Sequence, residues 1–138
     1  MTRTDPLMPP CGPERDRLVA EAVGWKEVSD GLGRRLWVDA TNKPTGYYTR
    51  NAMTRGSNPF CPSQSDADAL AALEAWRTGN GICSYAVGSP DPEDPGFRAC
   101  LWYSADGKSV ADCEASAPTL RDAATAALVR WRNERSTT

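Results

Sequence analysis

Near the C-terminus Leu120, Ala123, Ala124, Ala127, Leu128 and Trp131 recur at intervals of three and four, the spacing that lines up one face of an α-helix. Pro118 precedes this run, and Thr119 with Asp122 three residues on supplies an N-cap, so the helix begins at about Leu120. A helix with one apolar stripe must bury it against another element. The segments just before it meet that need. Ile82–Val87, Phe97–Tyr103 and Ser109–Ala115 read as strands, and Ala105-Asp106-Gly107-Lys108 turns the second into the third as an antiparallel hairpin.

Upstream, the stretch from Pro13 to Val28 reads as a helix: Pro13 opens it, acidic residues sit near its start, and Leu18, Val19, Ala22 and Val23 form a stripe. Gly24 and Trp25 mark a frayed end. A turn at Asp30-Gly31 leads to a short strand at Leu36–Val38, and a second short strand is expected around Tyr47 to Thr49. Ser65 and Asp68 form a variant capping box for a helix carrying Ala69, Leu70, Leu73 and Trp76, which ends near Gly79. The expected fold is α+β: a small, mainly antiparallel sheet packed with three helices, in an α/β/α-type sandwich.

The chain has 138 residues, of which 40% are hydrophobic and 25% charged, near globular averages. That length supports one core, so residues 14–134 are expected to be a single domain behind a flexible proline-rich leader at 1–13. No apolar run approaches the roughly 20 residues that span a bilayer, and the leader lacks the apolar core of a signal peptide. The five cysteines are widely spaced and form no C-x-x-C unit, as expected of reduced thiols in a cytoplasm, three of them within strands. The net charge of −2 gives no whole-molecule attraction for nucleic acid or anionic membranes.

The order of elements, with LVAEAVGW in the first helix, LWVD in the first strand, SDADALAALEAW in the second helix and LRDAATAAL in the last, resembles the phage ABA sandwich domain family. The resemblance spans Leu18 to Leu128. It implies a small α/β sandwich encoded by phages or prophages and working in the cytoplasm of the infected bacterium. It carries no catalytic signature onto particular residues. The leader and the expanded segment from Lys43 to Pro62 depart from a compact member of that family.

The chain contains no histidine, which removes the commonest general base, the commonest metal ligand and every Ser-His or Cys-His pair. Carboxylates alone can run acid–base chemistry, but Asp91, Glu93 and Asp94 fall in the proline-rich loop from Ser89 to Pro95 and read as solvated. That loop lacks calcium-loop spacing, and no Walker loop or dinucleotide fingerprint occurs. No catalytic residue, metal or cofactor is therefore assigned.

The segment KPTGYYTRNAMTR interleaves Tyr47 and Tyr48 with Lys43, Arg50 and Arg55, a composition suited to stacking on a base while holding phosphate. The competing reading packs one tyrosine on the sheet and leaves the arginines in water. Arg98, Cys100 and Trp102 alternate on one face of their strand, so Arg98 and Trp102 are exposed together wherever helices leave that face uncovered. Trp102 has the rival role of a core residue.

These features predict a non-enzymatic binding protein that sequesters a small anionic, nucleotide-like immune signal as a counter-defence device. Its site would comprise Lys43, Tyr47, Tyr48, Arg50, Arg55, Arg98 and Trp102. The alternatives are an inhibitor that binds a host defence or CRISPR protein through a surface patch, and a carboxylate-based hydrolase of a nucleotide signal. An exposed strand edge would permit pairing into a homo-oligomer.

Overall fold

A computed structural model describes residues 8–29, 31, 35–48, 59–79, 83–89, 96–104 and 110–136. Its elements follow in the order α1 (Pro13–Ala22), β1 (Lys26–Ser29), β2 (Arg35–Val38), β3 (Pro44–Tyr48), α2 (Asp66–Gly79), β4 (Cys83–Gly88), β5 (Phe97–Ser104), β6 (Val110–Ala117) and α3 (Leu120–Ser136). The fold is α+β, as the patterning predicts. The strands form two separate antiparallel sheets, β1-β2-β3 and β4-β5-β6, where the sequence suggested one.

The first helix stops earlier than its apolar stripe suggests, because Gly24 adopts φ +90°. Trp25 N–H donates to Ala20 O at 2.9 Å and Gly24 N–H to Glu21 O at 3.1 Å, the paired bonds of a Schellman terminus. The chain then reverses, and Lys26–Ser29 pairs as β1 against β2 in the register Glu27↔Trp37, where the sequence predicts helix as far as Val28.

Between Asp39 and Lys43 a tight turn joins β2 to β3. Asp39 Oδ1 accepts from Thr41 N at 2.8 Å, Thr41 Oγ1 at 2.6 Å and Lys43 N at 3.0 Å. The Thr41 hydroxyl, then the Lys43 amide, holds the Asp39 carboxyl below its usual range. The register shifts between Leu36 and Val38, where the irregular stretch of β3 contains Gly46 at φ +89°.

The second sheet carries the principal core. Along β5 and β6 the register runs unbroken from Phe97↔Ala117 to Ser104↔Val110. The alternate residues Ala99, Leu101, Cys113 and Ala115 are buried against Ala123, Ala124, Ala127, Leu128 and Trp131 of α3. Trp131 meets Trp76 of α2 edge to face, with centroids 5.6 Å apart. Thr119 Oγ1 accepts from Asp122 N at 3.2 Å, and Ser65 Oγ from Asp68 N at 3.3 Å, so both predicted N-caps form.

Within the predicted leader, Met8 packs against the core and Gly12 N–H donates to Ser63 Oγ at 2.9 Å. Arg15 reaches back to Pro9 O at 2.8 Å and across to Asp122 Oδ1 at 2.5 Å. Asp16 Oδ1 accepts from Ser63 N at 2.8 Å. This buried polar junction fastens residues 8–12, the approach to α2 and the start of α3 to one another.

Candidate functional site

Among the described residues, helices lie over one face of the β4-β5-β6 sheet: α3 lies over β5 and β6, and α2 meets β4. On the opposite face stand Ser84, Ala86 and Gly88 of β4, Arg98, Cys100 and Trp102 of β5, and Asp112, Glu114 and Ser116 of β6. All are exposed except Cys100, which is half-buried between its neighbours. Trp102 is 37% exposed, unusual for a residue whose size normally sends it to the core.

Register places these side chains in rows across the sheet. Arg98 lies between Gly88 and Ser116, Cys100 between Ala86 and Glu114, and Trp102 between Ser84 and Asp112. The face thus has a cation at one end, an indole at the other, two carboxylates along the β6 side and small residues along the β4 side. A shallow depression of about 320 Å³ lies against Arg98, lined also by Ala86, Val87, Gly88, Ser89 and Cys100. It exists because β4 contributes almost no side-chain volume there.

Arg98 makes no hydrogen bond or ion pair with another described residue. Cys100 Sγ donates to Glu114 Oε2 at 3.6 Å. Burial first, and then this hydrogen bond and the Glu114 charge, pushes the Cys100 thiol up, with Arg98 opposing. Cys100 is therefore a neutral thiol at pH 7 and not an activated nucleophile.

The predicted aromatic and basic segment is placed differently. Tyr47 belongs to an aromatic cluster, with its ring 5.9 Å from Trp25 and 5.0 Å from Phe60. Burial and a hydrogen bond to Asp68 raise the Tyr47 phenol. Tyr48 is half-buried, pairs with Leu36 and accepts from Phe60 N–H at 3.0 Å through its carbonyl. Lys43 is exposed at the end of the Asp39 turn, while Arg50 and Arg55 lie outside the described residues.

The structure accordingly brings Arg98 and Trp102 onto one face and sets Tyr47 and Tyr48 on the other sheet, with Lys43 in the turn that leads into it. Sequence reasoning did not single out Asp112, Glu114, Ala86 or Gly88. The signal was available for the two carboxylates: they alternate with buried Cys113 and Ala115 and sit on the outward phase of β6.

No protein-family profile matches this chain, and no curated protein matches its sequence. Among the described residues no helix is long and apolar enough to cross a membrane.

Proposed function

We propose that the chain is a non-enzymatic binding protein whose recognition surface is the open face of β4, β5 and β6. The observation that carries this reading is that Arg98 and Trp102, two residue types that dominate binding energetics, share a sheet face that no described helix covers. The face is shallow and bears charges of both signs, which suits the surface of a partner protein. In the setting implied by the resemblance, the cytoplasm of an infected bacterium, that partner is a host defence protein.

The test compares capture by immobilised protein in infected-cell extract, using wild type, Arg98→Glu/Trp102→Ala and Lys43→Glu. Capture by wild type and Lys43→Glu, lost in the double variant, is the expected pattern. Equal capture by all three, or loss in Lys43→Glu alone, overturns the assignment of the surface.

A second reading is favoured by the depression beside Arg98. A small anionic, nucleotide-like ligand would place a phosphate on the guanidinium, whose fork suits it. Titration calorimetry with a panel of signalling nucleotides should then show micromolar or tighter binding that Arg98→Ala abolishes. Absence of heat across the panel eliminates the small-ligand reading and leaves the protein-partner one standing.

A further inference from the structure

We infer that the open face of β4, β5 and β6 docks onto the same face of a second copy, with the two sheets crossed near 90° and Cys100 on the two-fold axis. This inference rests on the reading of that face as the recognition surface, and assigns a masked state to it. Self-docking and an outside partner compete for one surface.

Along β5, Arg98 and Trp102 stand on either side of Cys100, each about 6.7 Å away at two residues' rise. Across the sheet, Ala86 and Glu114 stand on either side of Cys100, each about 5 Å away. The four make a cross centred on Cys100. A two-fold axis lying in the interface along one diagonal exchanges the two arms of that cross.

Under this operation Arg98 of each copy comes over Glu114 of the other, and Trp102 comes over Ala86. Asp112 falls over Gly88. Each large or charged group thus meets either its opposite charge or a small residue, and the central position is occupied by a cysteine with little bulk. Orthogonal packing at about 90° is an established arrangement of two sheets, with the faces about 10 Å apart, a gap that arginine and tryptophan side chains span together with their opposite numbers.

The alternatives are less compatible with the same residues. An axis parallel to β5 puts Arg98 over Arg98 of the second copy, and an axis perpendicular to it puts Glu114 over Glu114. The remaining diagonal sets Arg98 over Ala86 and Trp102 over Glu114, leaving both charges without opposite partners. Like charges held face to face suppress the first two arrangements, and charges covered without a counter-charge disfavour the third.

Sedimentation velocity of the full chain over a concentration series at low salt provides the test, with Arg98→Glu, Glu114→Arg and the double variant beside wild type. The expected result is a dimer that weakens at least about tenfold in either single variant and is restored in the double, since only the double recovers opposite charges. Matching thermal midpoints, measured at a dilution where wild type is monomeric, would establish that the variants are folded. A wild type that stays monomeric to millimolar concentration overturns the inference, as does a dimer indifferent to the single variants. Weakening in both singles without restoration in the double overturns it equally.

Peptide-resolved maleimide labelling of Cys100 in the same samples separates this failure from failure of the surface itself. The inference expects labelling to slow as concentration rises. Rapid labelling at every concentration overturns self-docking and leaves an open recognition face. Labelling at high dilution no faster than that of buried Cys113 means that the chain covers its own face, and both readings fall.

Discussion

Arg15 Nη1 lies 2.5 Å from Asp122 Oδ1, joining the first turn of α1 to the first turn of α3 across 107 residues of sequence. The arginine side chain is 8% exposed and the aspartate 29%, so the cation depends on this carboxylate and the carboxylate still meets water. The same guanidinium holds Pro9 O, which couples the N-terminal segment to the pair. Asp122 also receives a helix N-terminus, where a negative charge is favoured.

Removing the carboxylate leaves a buried cation without its counterion. Asp122→Ala is expected to cost about 2–4 kcal/mol in urea unfolding, toward the lower end of the range for broken buried pairs because Asp122 is partly exposed. Arg15→Met with Asp122→Leu should recover most of that loss. A double variant as unstable as the single would show that the pair is more than a matched charge couple.

Gly24 is the residue on which the end of α1 depends. At φ +90° an L side chain is strained, while the nearest atom to an added Cβ would be Ala40 Cβ at an ordinary 3.9 Å. Gly24→Ala should therefore cost about 1–2 kcal/mol through backbone conformation alone. Gly24→Asn should cost less, since asparagine tolerates this region better. Equal losses in chemical denaturation would point to side-chain packing instead.

The buried Cys113 thiol gives a pH signature. Burial, with the Glu134 charge next, pushes it from 9.0 up to about 12. A raised pKa means that the unfolded chain releases this proton first. The associated stability is complete below about pH 9 and is lost as pH rises towards about 12. Tyr47, Tyr85 and Tyr103 are raised too and add the same sign at higher pH. The informative quantity is the difference between wild type and Cys113→Ala: the alkaline loss should be steeper in wild type. Parallel curves from pH 9 to 11 would contradict the assigned burial, whose window these values define.

Much of the second sheet was legible from local pattern. The β5-β6 hairpin and α3 adjoin in the chain, so alternation in one and three-four spacing in the other sufficed to pack the hairpin on the face of α3 that holds Leu128, but not to decide whether Leu101 or Trp102 turned inward; the structure buries Leu101. The first sheet was harder to read. Lys26–Ser29 is largely exposed, so no apolar alternation marked it as a strand, and the apolar stripe before it encouraged a longer helix. The glycine at position 24 was the better signal. Tyr47 illustrates a different limit: a tyrosine beside basic residues serves equally as a stacking platform or as core, and Trp25 and Phe60, remote in sequence, decided its packing. Whether strands share a sheet is likewise a nonlocal matter that periodicity does not encode.

The central claim is that recognition occurs on the open face of β4, β5 and β6. Backbone amide NMR of isotopically labelled protein, recorded on adding the captured partner or the best-binding nucleotide, tests it residue by residue. Shifts should concentrate at Ala86, Gly88, Arg98, Cys100, Trp102 and Glu114, with Lys43, Tyr47 and Tyr48 unmoved. Shifts centred on Lys43 to Tyr48, with Arg98 and Trp102 unchanged, would contradict it.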